Sequence, residues 1–177
     1  MASGVSLKTR RLTVCAFLCA LNVVLLYFGS LIEVLDLTMS VVASLTCIFA
    51  VIEMGGNTPW MVFAVSGVLS LVLLPYPKSS ALVYVLFSGY YPILKAYIER
   101  LHRPISWVVK LLLFNAALTG LVLVSTFVLG LPDGMFTAEV LVYVLGNVTF
   151  VIYDYALTGL ISTYLRVWRK RLRVHLR

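Results

Sequence analysis

Charge is what this sequence has least of. Only 12% of its 177 residues are Asp, Glu, Lys or Arg, and 62% are hydrophobic, whereas soluble domains are about a quarter charged and about half apolar. A soluble fold of this size needs far more polar surface, so the composition excludes that class and points to an integral membrane protein. Cysteine is scarce as well. Cys15, Cys19 and Cys47 all fall inside apolar segments, with no further Cys or His at a metal-ligand spacing. They read as reduced packing residues, which argues against a disulfide scaffold and against a metal site. The two histidines, His102 and His175, are far apart in sequence and make neither a metal pair nor a catalytic dyad. The sequence has no glycine-rich phosphate loop, nucleophile elbow or paired acidic motif. The reading is therefore of a protein that is not an enzyme and holds no cofactor.

Apolar runs, in contrast, fill the chain. A helix needs about 20 apolar residues to cross about 30 Å of hydrocarbon. Segmentation on that basis gives six spans, at approximately 12–32, 37–54, 59–75, 79–98, 105–130 and 138–165. Their breaks coincide with turn chemistry, including "GGNTP" at 55–59, "PYPK" at 75–78, "LHRP" at 101–104 and "GLPDG" at 130–134. Every connection is short. The expected fold is an all-α integral membrane protein, a compact bundle of six transmembrane helices forming a single domain over 1–177. The opening "KTRRLTVCAFLCALNVVLLYF" joins a basic stretch to an apolar run, as a signal peptide does. Its run is of spanning length and lacks a clear small-x-small cleavage site, so it reads as a retained first helix.

The few charges are unevenly placed. Lys8, Arg10 and Arg11 open the chain, and Arg166, Arg169, Lys170, Arg171, Arg173 and Arg177 close it. By the positive-inside rule, six spans put both termini in the cytoplasm, with every Lys and Arg except Lys78 facing or approaching that side. The outer loops then carry Glu33, Asp36, Asp133 and Glu139. The expected location is the cell membrane. The tail "RVWRKRLRVHLR" suits attraction to anionic lipid headgroups, and without a folded basic domain it gives no reason to expect nucleic-acid binding.

Polar residues within the spans carry the most information, since an ionised side chain at helix centre costs about 2.5–3.5 kcal/mol on insertion scales. Asp154 is the clearest, roughly 24 Å from the outer boundary at 1.5 Å per residue. On its helix Tyr143, Asn147, Asp154, Thr158 and Ser162 form one stripe. The fourth span has a matching stripe of Tyr84, Ser88, Tyr91, Lys95 and Glu99, with Lys95 at a similar depth, roughly 22 Å in. Together with Asn115 of the fifth span, these predict an intramembrane polar cluster of Tyr91, Lys95, Asn115 and Asp154, with Glu53 as a further candidate. Two readings stand for Lys95: membership of this cluster, or an ammonium that snorkels to the inner headgroups. In "FSGYYPILKAYIER", Pro92 removes a backbone hydrogen bond and predicts a kink beside Gly89.

Ala16 and Ala20 of the first span form a small-xxx-small pattern, "AFLCA", which serves either packing within the bundle or close approach by another protein's helix. The surrounding "RRLTVCAFLCALNVVLLYFGSLIEVLDLTMSVVASLTCIFAVIEMGG", with "DLT" at 36–38, resembles the opening of the substrate-capture subunits (S-components) of energy-coupling factor transporters. Size, six spans and cytoplasmic termini are similar too. The outer loop after the first span departs from that pattern in lacking prolines, and the polar cluster lies on the cytoplasmic half, where such subunits do not hold substrate.

The resemblance implies a substrate-binding membrane subunit of a micronutrient importer. Such a subunit captures a vitamin-like or metal micronutrient on its outer side. It docks through Ala16 and Ala20 on a transmembrane coupling protein driven by ATPase subunits. Substrate contacts then come from Tyr27, Glu33, Asp36, Tyr76, Tyr84, Glu139, Tyr143 and Asn147, with the substrate itself open. The alternative is a small integral-membrane accessory or assembly subunit that binds protein or lipid partners and has no small-molecule substrate.

Overall fold

An apolar segment offers its backbone few polar partners, and a helix is the arrangement that satisfies the N–H and C=O groups within the segment itself. The computed structural model describes residues 2–74, 79–129 and 136–168, without the side chains of 2–8, 33, 125–129, 136–139 and 168. The described residues form six helices and no strand: α1 (Ala2–Leu31), α2 (Asp36–Glu53), α3 (Thr58–Leu73), α4 (Ser79–Ile98), α5 (Arg103–Leu129) and α6 (Phe136–Thr163). Five contain a stretch long and apolar enough to cross a membrane, while α3 has only 16 residues, about 24 Å of helix. The first helix begins ten positions before the apolar run, since Lys and Arg are good helix formers, and its membrane-length stretch starts at Thr9.

Turn residues set the helix ends. Gly55 and Gly56 both have φ near +60°, a left-handed conformation that a side chain disfavours and that commonly ends a helix. Pro59 follows in the first turn of α3, where its missing N–H has no partner to lose. Arg11 Nη2 donates to the Met54 carbonyl at 3.4 Å, placing a cation at the end of α2 where the helix dipole favours one.

The chain divides into a first unit up to Tyr97 and a second from Ile98. Within the first, each of α1 to α4 touches the other three. The inward faces are narrow and built largely from small residues. Cys19, Asn22 and Leu26 of α1, Ser40, Ala43 and Cys47 of α2, and Val62, Ser66 and Ser70 of α3 are all buried, and small side chains let helix backbones approach closely.

The interruption of α4 falls beside Gly89. Residues Tyr84–Ser88 form a π turn, closed by Gly89 N–H donating to the Tyr84 carbonyl at 2.8 Å. The α-helix resumes at Tyr91, and Ile93 and Leu94 both donate to the Tyr90 carbonyl at 3.0 Å. Pro92 therefore sits in the first turn of a restarted helix, where a proline is tolerated.

In the second unit α5 and α6 form a hairpin. Phe114 and Phe150 stack across it with centroids 4.6 Å apart, and each cross-helix pair joins a later residue of α5 to an earlier one of α6, the register of antiparallel neighbours.

Candidate functional site

The first unit has a polar centre to which all four helices contribute. The Tyr84 hydroxyl of α4 accepts from Asn22 Nδ2 of α1 at 2.7 Å and lies 2.9 Å from Ser66 Oγ of α3 and 3.2 Å from Cys47 Sγ of α2. Asn22 also donates to Ser66 at 3.2 Å. One turn along α4, the Ser88 hydroxyl meets that of Ser40 at 2.5 Å and donates to the Ser40 carbonyl at 3.1 Å. These groups are fully buried, so each hydrogen bond replaces one that water would have made. Further along the same stripe Tyr91 and Lys95 are also buried, and the Tyr91 ring packs against Phe87 with centroids 5.0 Å apart.

The second unit carries its polar groups as a ladder between α5 and α6. Lys110 Nζ donates to Asp154 Oδ2 at 2.9 Å and Oδ1 at 3.1 Å, and to Glu99 Oε1 at 3.4 Å. Three ammonium protons thus face three carboxylate oxygens, the full donor capacity of a lysine. Nζ also lies 5.3 Å from the centre of the Trp107 ring, within cation–π range. The Lys110 and Asp154 side chains are 6% and 4% exposed. Beyond the stacked phenylalanines, Asn115 and Asn147 exchange amide bonds at 3.0 and 3.1 Å. Their remaining amide protons go to the carbonyls of Leu111 and Tyr143, each at 2.8 Å. Thr119 and Tyr143 close the ladder at 2.8 Å.

A cavity of about 520 Å³ opens at the Lys110 end of this hairpin, within the size range of small-molecule sites. Glu99, Arg103, Ser106, Trp107, Lys110 and Asp154 line it, with Leu101, Tyr155 and Thr158 completing the wall. Trp107 and Tyr155 face each other with ring centroids 5.8 Å apart. The formal charges of Glu99 and Asp154 balance those of Arg103 and Lys110. The chemistry on offer is recognition of a polar, charge-balanced group beside aromatic faces.

The residues selected from the sequence are distributed across both units. Ala16 and Ala20 of α1 are exposed beside the face that buries Cys19 and Asn22, and Tyr27 is exposed as well. Asp36 is the first residue of α2, where a carboxylate complements the helix dipole. Tyr76 and the side chains of Glu33 and Glu139 lie outside the described residues. Tyr84 belongs to the polar centre of the first unit, while Tyr143 and Asn147 belong to the ladder. Of the expected polar cluster, Tyr91 and Lys95 lie in the first unit and Asn115 and Asp154 in the second.

Two functional groups were missed by sequence reasoning. Lys110, an ion-pair partner of Asp154, follows the basic Arg100 and Arg103 in sequence but sits in the second turn of α5. Asn22 had not been singled out. Both carried the signal that marked Asp154, a lone polar residue in an apolar run, "WVVKLLLF" and "CALNVVLL". Comparison with models of known protein families, with curated proteins and with solved structures finds no match to this chain.

Proposed function

We propose that the chain is a multi-pass protein of the cell membrane with six crossings and both ends cytoplasmic, and that it serves as the substrate-binding subunit of an energy-coupling factor type micronutrient importer. The outward position of Ala16 and Ala20 carries this reading. Leu12, Ala16, Ala20 and Val24 recur every fourth residue on α1 and all four are exposed, so the alanines are not used for packing inside the helix bundle. A bare strip of small residues flanked by Leu12 and Phe17 lets a partner's helix come close and gain van der Waals contact without displacing a side chain. The partner under this reading is a transmembrane coupling protein carrying ATPase subunits.

The test is a pull-down of the tagged full chain in mild detergent, paired with melting curves against vitamins, nucleobases and metal ions. Expected is an ATPase-containing complex that Ala16→Leu with Ala20→Leu dissolves without lowering the melting temperature. One ligand should also raise that temperature, since a ligand at 100 times its Kd adds about 2.7 kcal/mol. Absence of both the ATPase and any ligand shift overturns the importer reading.

One observation favours the alternative of an accessory or assembly subunit. Tyr84, Tyr143 and Asn147, three of the residues expected to touch substrate, make hydrogen bonds within the protein. Under that reading the same α1 face docks on a membrane protein without an ATPase, and no small molecule alters the melting temperature. Attraction of the basic tail to anionic lipids belongs to both readings.

A further inference from the structure

We propose that the cavity at the Lys110 end of α5 and α6 binds a phosphoethanolamine group, the headgroup of a zwitterionic phospholipid with a primary ammonium. The electrostatics narrow the ligand first. Four charged side chains line the cavity, two of each sign, so it has no net attraction for a multiply charged anion or cation. They divide into an inner and an outer pair. Lys110 and Asp154 are nearly buried and joined through both carboxylate oxygens, and each largely satisfies the other. Glu99 lies 3.4 Å from Lys110 and keeps 43% of its side chain exposed. Arg103, four residues further on, is exposed.

Arg103 and Glu99 thus offer one cationic and one anionic handle beside the same cavity. A guanidinium fork matches phosphate oxygens in a bidentate geometry. A carboxylate accepts from a primary ammonium, and the neighbouring faces of Trp107 and Tyr155 attract the same cation. A trimethylammonium group has no N–H to donate to Glu99, and a glycerol headgroup has no cation, so phosphoethanolamine fits better than either.

Position agrees with this assignment. Arg103 is the first residue of α5 and Lys110 lies seven residues on, about 10 Å along the axis. The interfacial layer on each side of a bilayer is about 5–7 Å deep, so the cavity reaches from headgroup level to the edge of the hydrocarbon. Trp and Tyr are enriched at that level. The inference needs α5 and α6 to sit in a bilayer and is independent of what docks on α1.

Native mass spectrometry of the detergent-purified full chain, offered equal amounts of phosphatidylethanolamine, phosphatidylcholine and phosphatidylglycerol with identical acyl chains, tests it. Expected is several-fold greater retention of phosphatidylethanolamine, falling to the phosphatidylcholine level in Glu99→Gln and in Arg103→Gln. Both side chains are partly or fully exposed, and should either variant unfold, the lipid preference of the unaltered chain decides alone. Soluble glycerophosphoethanolamine separates the two sources of this chemistry. If it displaces the lipid, the natural occupant is a free phosphoamine, and if it fails to, the occupant is the membrane lipid. Equal retention of phosphatidylcholine or phosphatidylglycerol, or phosphatidylethanolamine binding unmoved in both folded variants, overturns the proposal.

Discussion

Lys110 and Asp154 show how one side chain makes another tolerable. A carboxylate at this burial, alone, lies in surroundings where an ion is several kcal/mol less stable than in water, and the lysine opposite supplies both countercharge and hydrogen bonds at 2.9 and 3.1 Å. Removing one member takes this two-pronged contact from the other, and breaking a buried pair costs about 3–5 kcal/mol. Glu99, 3.4 Å from Lys110 and 43% exposed, is a second carboxylate and supplies no countercharge to Asp154 once the lysine is gone. Lys110→Met is therefore expected to destabilise strongly. Lys110→Met with Asp154→Leu should recover most of the loss, since apolar replacement of a whole buried pair is often neutral. A double-mutant cycle on detergent unfolding midpoints checks this. Losses that simply add would show that the two residues are not coupled.

Gly89 has the corresponding role for an element, the interrupted helix α4. Its φ of −73° suits any residue, so the requirement for glycine is steric. A β-carbon there would lie 2.7 Å from Phe63 Cδ2 and 2.7 Å from Tyr84 Cζ. Both rings are held by neighbours. Tyr84 is held by hydrogen bonds from three helices, and Phe63 is packed against both Trp60 and Tyr90. Gly89→Ala should cost about 1–3 kcal/mol, as overpacking does. Gly120→Ala, with nothing within 4 Å of the new carbon, should be neutral or stabilise by up to about 1 kcal/mol. Thermal unfolding of the two variants makes the comparison.

Much of α4 was legible beforehand, because Pro92 and the stripe from Tyr84 to Lys95 are local features that follow from backbone chemistry and helical period. The π turn was not legible, since Pro92 marks where hydrogen bonds are lost but not how the chain recovers them. The partner of Asp154 was hidden for a different reason. A stripe identifies which face of a helix is polar, while the choice of partner depends on which helices become neighbours, and in the hairpin of α5 and α6 Lys110 faces Asp154. Lys110 itself is obscured by its nearness in sequence to Arg100 and Arg103, since a cluster of cations near a helix end suits the headgroup level as well as an intramembrane pair.

For the whole molecule the number of crossings depends on α3. That helix is about 24 Å long, some 6 Å short of the hydrocarbon thickness. Mismatch of this kind costs only fractions of a kcal/mol per Å, through local thinning of the bilayer or rearrangement of flanking residues. Failure to cross is worse. Five crossings place the two ends on opposite faces, which sends out either the segment with Lys8, Arg10 and Arg11 or the tail with Arg166, Arg169 and Lys170, against the positive-inside rule. The buried Ser66 and Ser70 add no barrier to insertion, because their hydroxyls donate to carbonyls of their own helix at 2.6 and 2.9 Å. Six crossings are therefore expected, with Lys78 on the face opposite both ends. Paired reporter fusions at the two ends and at Lys78 measure this, using a fluorescent protein that matures only in the cytoplasm and a phosphatase active only outside. Fluorescence at both ends with phosphatase activity at Lys78 is the expected pattern. Unlike signals at the two ends would mean that α3 lies within one face of the membrane.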